Sequence, residues 1–148
     1  MPVNLFSMDN QTADRSALAR SFLQAVWGSD WVVCRAMLSE TAVYEDPLLE
    51  APIVGREPII ETFKLCHAWG RLDPRLKQVF SGGKMAAAEF RVHGTVIKAL
   101  LDLPQSAVGK EFDFAECDIF EFDDQNRISR MTIYADVASF MKQIGVTG

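Results

Sequence analysis

The stretch Lys110–Phe122, KEFDFAECDIFEF, alternates between two sets of residues with the period of two that is typical of a β-strand. One face of this predicted strand carries four phenylalanines and two acids: Phe112, Phe114, Glu116, Asp118, Phe120 and Phe122. The phenylalanines indicate that this face packs against a core. A carboxyl group in such a face is costly unless it meets a cation, makes hydrogen bonds or keeps its proton. We therefore expect Asp118 to be the most perturbed acid in the chain.

The surroundings of the two acids decide their roles, and the sequence leaves alternatives open. Asp118 could form a structural salt bridge with Arg91 or Arg130 on a neighbouring strand. It could instead stay neutral and donate a hydrogen bond to a developing oxyanion. Glu116 could point to the rim of a cavity and be solvated.

Three further strands are predicted on either side of Lys110–Phe122: one after Asp73-Pro74, Met85–Ile97, and Ile128–Tyr134. Met85–Ile97 places Ala86, Ala88, Phe90 and Val92 on its apolar face. Residues 98–109 contain Pro104 and Gly109 and are long for a hairpin, so they could form a flap.

The first half of the chain is predicted to be mainly helical. Apolar spacing and capping residues indicate helices at residues 14–27, Trp31–Leu38 and residues 57–69. Helices followed by antiparallel strands predict an α+β domain with its helices on one face of a curved sheet. We expect a single domain over residues 1–148, with residues 1–11 as a loose arm.

The segment Thr41–Gly55, TAVYEDPLLEAPIVG, combines a short strand with a second candidate acid. The strand runs into Asp46 and is stopped by Pro47. An ionised carboxylate there could take a proton from a bound molecule. Alternatively, the Asp46 side chain could hold its own backbone in an Asx turn. If Asp46 is ionised and Asp118 neutral, the two would form an acid/base pair.

Composition excludes several classes of function. The 148 residues carry a net charge of −5, which argues against a nucleic-acid partner. No apolar run approaches the roughly 20 residues of a membrane span, and the N-terminus does not resemble a secretory signal. Three scattered cysteines and two isolated histidines, His67 and His93, form no metal pattern. We therefore expect no metal, no cofactor and no membrane association, and a reducing cytoplasm as the location.

Five motifs occur in an order that resembles the NTF2-like superfamily, and within it the ketosteroid isomerases and the SnoaL-like polyketide cyclases. These motifs lie at residues 28–31, 44–47, 55–59, 117–124 and 127–136. The resemblance implies a cone-shaped α+β barrel, with N-terminal helices packed on a curved, mostly antiparallel sheet around an apolar pocket. It also implies that Asp46 is the general base and that Asp118 is the protonated acid of the oxyanion hole.

Two departures from related enzymes limit this resemblance. Phe22 stands where the isomerases carry a tyrosine, so Tyr44 or Tyr134 would have to replace that oxyanion donor. The limonene epoxide hydrolases also resemble the chain, but Glu116 and Ile133 stand where they use an arginine and a second aspartate. Epoxide hydrolysis by that mechanism is therefore disfavoured.

The leading hypothesis is a cofactor-independent isomerase or cyclase of secondary metabolism that acts on a small hydrophobic cyclic compound, such as a polyketide, terpenoid or steroid. Its expected catalytic residues are Asp46 and Asp118, and its expected substrate-binding residues are Phe22, Tyr44, Trp69, Phe114, Glu116, Phe120 and Tyr134. The alternatives are a binding or dimerisation module without chemistry, and a lyase, hydratase or differently equipped hydrolase. The resemblance also implies a homodimer, formed through the outer sheet face bearing Cys117, Ile119 and Met131.

Overall fold

The computed structural model describes residues 14–146, so the predicted arm at residues 1–11 lies outside the described residues. The helices are α1 (Arg15–Trp27), α2 (Trp31–Met37), α3 (Arg56–Trp69) and α4 (Val137–Gln143), with a 3-10 turn at Gln105–Ala107. The strands are β1 (Leu38–Glu45), β2 (Ile53–Val54), β3 (Gly70–Gly82), β4 (Met85–Val96), β5 (Glu111–Phe122) and β6 (Ile128–Ala135). No helix within this part of the chain is long and apolar enough to cross a membrane.

Aspartate side chains begin three of the helices. The carboxylates of Asp14, Asp30 and Asp136 accept hydrogen bonds from backbone N–H groups two or three residues further on. These bonds satisfy N–H groups that have no partner within the helix. The caps agree with the predicted helix starts.

One sheet contains all six strands in the order β2-β1-β6-β5-β4-β3. β1 and β6 run parallel, and the other neighbours are antiparallel. β3 lies at an edge and begins at Gly70, earlier than the predicted strand after Pro74. An edge strand tolerates Pro74 because it needs hydrogen bonds on one side only. The four helices pack on this curved sheet, which does not close, and together they confirm an α+β cone.

The core lies between the helices and the inner face of β5. Phe112, Phe120 and Phe122 are buried there, as the alternating pattern predicts. On β4 the inner face begins with two small residues, Ala86 and Ala88, and continues with Phe90 and Val92, and all four are buried. The inner face of β5 therefore carries the acids of the sequence motif into the interior.

A β-bulge at Ser129 decides which side chains of β6 face that interior. Glu121 on β5 pairs with Arg130, but Phe122 pairs with Ile128. Ser129 is therefore an extra residue on β6, and the alternation of faces shifts by one after it.

The bulge corrects two predictions. Met131 and Ile133 lie on the inner face and are buried, whereas the side chain of Tyr134 is 61% exposed on the outer face. The predictions that Met131 lies on the outer face and that Tyr134 lines the pocket are both wrong. The physical reason is the bulge, since an extra residue at Ser129 turns Met131 inward and Tyr134 outward.

Candidate active site

A cavity of about 360 Å³ lies between the helices and the inner face of the sheet. This volume is at the lower end of the range for small-molecule sites. Its wall is largely apolar and includes six aromatic residues: Trp27, Tyr44, Phe63, Trp69, Phe90 and Phe114. Asp46, Glu116 and Asp118 are set into this apolar wall, so the structure brings three carboxyl groups to one cavity.

Asp46 follows the last residue of β1 and meets two hydrogen-bond donors. The Tyr44 hydroxyl donates to Oδ2 at 2.7 Å, and the Leu48 N–H donates to Oδ1 at 2.9 Å. The second bond is the Asx turn that the sequence left open as an alternative. The turn does not remove Asp46 from the cavity wall. Since an ionised carboxylate only accepts hydrogen bonds, both donors suit a charged Asp46.

Tyr44 holds Asp46 from inside the core. Its side chain is buried and packs edge-on against Phe63, with ring centroids 5.3 Å apart. Burial, and then the neighbouring charge of Asp46, raise the pKa of Tyr44 well above its usual value. The Tyr44 hydroxyl therefore stays protonated and donates its hydrogen bond to Asp46.

Asp118 lies on the inner face of β5 between two apolar neighbours, Ala88 on β4 and Ile133 on β6. It is 1% exposed, and no donor among the described residues reaches its buried Oδ1. Burial raises the pKa of Asp118 well above its usual range, and the nearby carboxyl group of Glu116 raises it further. Asp118 is therefore a neutral acid at the cavity wall.

The alternative of a salt bridge to Asp118 is wrong. Arg91 instead binds the exposed Asp113 on the outer face, with Nε 2.8 Å from Oδ1. Arg130 binds Glu45 and lies 3.6 Å from a carboxylate oxygen of Glu121. Both arginines lie on the face of the sheet opposite Asp118, because their positions alternate with the buried ones.

Glu116 forms a pair with Asp118 two residues further along β5. The charge and hydrogen-bond interactions between the two carboxyl groups shift the pKa of both. Burial raises the pKa of Glu116 to about 7, the hydrogen bond from Asp118 opposes this rise, and the charge of Asp46 adds to it. The solvated Glu116 that the sequence left open is not what the structure shows, because this side chain is largely enclosed.

The remaining predicted substrate-binding residues divide into two groups. Trp69 and Phe114 line the cavity. Phe22 and Phe120 do not, because both are fully buried and their rings pack edge-on with centroids 6.0 Å apart. Phe22 also contacts Phe63, which stands between this cluster and the cavity. The predicted face was right for Phe120, but its depth in the core was not predicted.

Two neighbouring residues of α3 were not predicted as part of the wall. Cys66 lines the cavity, and burial raises the pKa of its thiol to about 12, against a smaller opposing effect of Trp69, so it stays a neutral thiol. His67 has Nδ1 3.3 Å from the Ser29 hydroxyl and packs edge-on against Trp31. The signal available was their spacing of three and four residues after Phe63 on the apolar side of α3.

The mouth of the cavity is marked by three partly exposed leucines: Leu48, Leu65 and Leu101. Leu101 comes from the segment predicted as a flap, and both Leu101 and Asp102 have left-handed φ angles, 54° and 63°. Such angles are uncommon outside glycine and hold Leu101 against the cavity. The placement of Leu101 supports the flap prediction.

Among the described residues that form the cavity wall there are three acids but no lysine or arginine. Within residues 14–146, no group of three or more His, Cys, Asp or Glu side chains could hold a metal ion. The chemistry available from these residues is proton transfer between carboxyl groups in an apolar space.

The sequence matches the model of one known protein family. The SnoaL-like domain model matches residues 19–131, which include Asp46, Glu116 and Asp118. The chain belongs to the SnoaL-like family. No curated protein matches the sequence significantly.

Solved structures share the fold of this SnoaL-like protein over most of their length. One provisionally described as a polyketide cyclase, from Pseudomonas putida KT2440, is 24% identical with a TM-score of 0.78, covering 88% of this chain and 97% of that one. An LEH-like epoxide hydrolase from M. tuberculosis is 19% identical with a TM-score of 0.69, covering 90% and 91%. SalBIII, an epoxide hydrolase/cyclase-like enzyme in pyran ring formation in salinomycin, is 19% identical with a TM-score of 0.68, covering 84% and 92%.

Proposed function

We propose that this SnoaL-like protein is a cofactor-independent isomerase or cyclase that works by carboxyl acid/base catalysis. Asp46 removes a proton from the carbon next to a carbonyl group of a small hydrophobic ring compound. Asp118 donates a hydrogen bond or a proton to the carbonyl oxygen as negative charge develops there. The observation that supports this proposal most strongly is that two carboxyl groups in unlike environments face one apolar cavity.

The environments match the two roles. Asp46 has two donors and borders the cavity mouth through Leu48, so it suits a charged base. Asp118 is buried with an unpartnered Oδ1 and a raised pKa, so it suits a neutral donor. General acid/base catalysis of this kind contributes roughly 10²–10⁴-fold to a rate.

The wall of the cavity supports a neutral, apolar substrate. Its aromatic residues offer planar surfaces, and the negative charge proposed for Asp46 would repel a bound anion. We therefore place the substrate among small neutral ring compounds of polyketide, terpenoid or steroid type, in a pathway of secondary metabolism. The likeness to a polyketide cyclase and to an enzyme of pyran ring formation agrees with this class.

Deuterium exchange into a bicyclic aryl ketone tests the proposal without knowledge of the natural substrate. The protein is incubated in D₂O with the ketone, and NMR follows the replacement of hydrogen on the carbon next to the carbonyl. Asp46→Asn should slow the enzyme-dependent exchange by a factor of at least about 10². Asp73→Asn is the matched control, since Asp73 is exposed and paired with Arg75 outside the cavity.

The same measurement separates catalysis from binding alone. If the protein is a binding module of the same fold, Asp46→Asn and Asp118→Asn should both leave ketone binding and background exchange as they are in wild type. Full exchange activity in Asp46→Asn, with wild type active, would contradict the role of Asp46.

The outer face of the sheet supports a homodimer. Phe80 on β3 is 58% exposed, Tyr134 on β6 is 61% exposed, and Ile119 lies on the same face between them. A second copy of the chain would cover these apolar groups. Light scattering after gel filtration should give a dimer, and Phe80→Lys should shift it toward monomer. The described cysteines are free thiols, in keeping with the cytoplasmic location that we propose.

A further inference from the structure

The segment that joins β4 to β5 meets the cavity through one residue. Of residues 97–110, all of which the structure describes, only Leu101 lines the cavity. Leu101 is 39% exposed, so it borders the solvent as well as the cavity. A ligand that enters or outgrows the cavity on this side therefore meets Leu101.

The other two leucines at the mouth have backbone supports of their own. Leu65 lies within α3. Leu48 has its N–H bonded to Oδ1 of Asp46 at 2.9 Å. Leu101 belongs to neither a helix nor a strand, so its position depends on the β4–β5 segment alone.

Both ends of this segment are fixed by backbone hydrogen bonds. The N–H groups of Ile97 and Lys98 donate to the carbonyl oxygen of Trp69 at 2.8 and 3.2 Å. The N–H of Gly109 donates to the carbonyl oxygen of Val96 at 2.8 Å. Since Trp69 itself lines the cavity, the segment is attached to the wall that Leu101 borders.

The tip of the segment is a tight turn held on both sides. The N–H of Leu103 donates to the carbonyl oxygen of Leu100 at 3.1 Å, which closes a four-residue turn. Leu100 and Leu103 are half-buried and pack against the core. Leu101 and Asp102 are the two central residues of this turn.

Leu101 is an unfavourable residue for that turn. Positive φ angles at both central residues, 54° and 63°, are typical of a type I′ turn, which favours glycine, asparagine and aspartate. Asp102 suits the turn, but a bulky side chain such as that of Leu101 does not. A residue in such a conformation persists where its surroundings hold it there, and such residues occur often at ligand sites.

We propose that Leu101 is a specificity-determining residue that limits the size of the ligands that the cavity accepts. Its side chain closes part of the mouth, and a larger ring system has to displace it against a turn that is fixed on both sides. The cavity volume of about 360 Å³ agrees with a small ligand. The inference rests on the proposed function for the class of ligand, a neutral ring compound, and not on the roles of the acids.

The first test compares two ketones that differ by one fused ring. Binding of a bicyclic aryl ketone and of its tricyclic homologue is followed by the fluorescence of Trp27 and Trp69, which line the cavity. Leu101→Gly removes the side chain and keeps the turn, because glycine accepts a positive φ. Leu103→Ala is the matched control, since Leu103 belongs to the same turn but does not line the cavity.

We expect Leu101→Gly to raise the affinity for the tricyclic ketone, relative to the bicyclic one, by at least about tenfold. Leu103→Ala should leave this ratio as it is in wild type. A role of Leu101 in folding alone would change the affinities for both ketones together and would leave their ratio unchanged.

A second test needs no ligand. Cys66 is a free thiol in the cavity wall, and Cys117 is a free thiol on β5 that does not line the cavity. The two are labelled with N-ethylmaleimide, which is small, or with a bulky pyrenyl maleimide, and mass spectrometry of the peptides gives the rate at each. Leu101→Gly should raise the bulky-to-small rate ratio at Cys66 by about tenfold or more and should leave that at Cys117 unchanged.

Two results would overturn the inference. Wild-type ratios in Leu101→Gly, for the ketones and at Cys66, would show that Leu101 does not limit ligand size, and the proposed function would stand. The same change in Leu103→Ala as in Leu101→Gly would show that loosening of the segment, rather than the Leu101 side chain, controls access. If neither ketone binds to any of the proteins, the proposed substrate class fails, and the ratio at Cys66 alone decides whether Leu101 limits access.

Discussion

Asp46 and Asp118 carry the same carboxyl group, but the chain surrounds the two residues differently. Asp46 follows a strand end, where Tyr44 and Leu48 supply hydrogen bonds and solvent is near. Asp118 sits inside a sheet between apolar neighbours, where its charged form would have no donor at Oδ1. The environment, rather than the residue type, therefore separates base from acid.

The acid pair predicts a pH dependence of stability. The pKa of Glu116 is raised from an ordinary value of about 4.3 to about 7, so the folded state favours its protonated form. The resulting stability is fully present below about pH 4 and is lost as pH rises through about 7. Relative to Glu116→Gln, wild type should lose on the order of 1–3 kcal/mol of unfolding free energy between about pH 5 and 8.

Urea unfolding of both proteins at the two pH values measures this difference. Glu111→Gln is the control, because Glu111 lies on the same strand but is exposed, and it should not change the pH dependence. A constant difference between wild type and Glu116→Gln across this range would show that Glu116 titrates as an ordinary surface glutamate.

At the scale of elements, β5 was the most predictable part of the chain. Its period-two pattern predicts the strand within one residue of Glu111–Phe122 and the inward face correctly. β6 shows where the pattern fails, because one extra residue at Ser129 reverses the faces after it. Nothing in the letters Ile-Ser-Arg-Met marks that bulge, since it depends on how β6 pairs with β5.

Long-range pairing limited the other predictions. The parallel pairing of β1 with β6 joins residues that are far apart in the sequence, and β2 is only two residues long, Ile53–Val54. The depth of the cavity depends on packing that periodicity does not encode. Phe120 and Phe114 have the same position in the pattern, but only Phe114 reaches the cavity. The perturbed acid Asp118 could be predicted because a carboxyl group among phenylalanines is informative by itself.

Gly94 lies where β3, β4 and β5 pack closely, and replacing it should lower the stability of the fold. A Cβ atom added at Gly94 would lie 2.4 Å from the backbone oxygen of Arg71 and 2.8 Å from Cζ of Phe112. The backbone oxygen belongs to a strand pair and cannot move freely. Gly94→Ala should therefore destabilise the fold by about 1–3 kcal/mol, measured by urea unfolding.

Gly82 on β3 provides the comparison, because nothing lies within 4 Å of an added Cβ there. Gly82→Ala should change the unfolding free energy by less than about 0.5 kcal/mol. Similar losses in both variants would mean that glycine flexibility, rather than close approach at Gly94, determines the effect.

The whole molecule combines an apolar interior with an acidic charge balance. The net charge is −5, and the described wall of the cavity contributes carboxyl groups without a lysine or arginine. Such a site should discriminate by charge as well as by shape. A neutral compound can place its carbonyl group beside Asp118, whereas a carboxylate would meet Asp46 and the Glu116–Asp118 pair.

Ligand binding should therefore favour neutral compounds over anions of the same size. Trp27 and Trp69 line the cavity, so their fluorescence reports occupancy. A bicyclic ketone should bind at least about tenfold more tightly than the matching bicyclic carboxylate at neutral pH, which is a difference of about 1.4 kcal/mol. Equal affinities would indicate that ligands bind away from the three carboxyl groups.

The most direct test of the central claim is the protonation state of Asp118, measured by infrared spectroscopy at about pH 8, above the range in which Glu116 titrates. Wild type should show the carbonyl stretch of a neutral buried carboxylic acid, Asp46→Asn should keep that band, and Asp118→Asn should lose it. Absence of the band in wild type, or its survival in Asp118→Asn, would contradict the account of a charged base and a neutral acid facing one cavity.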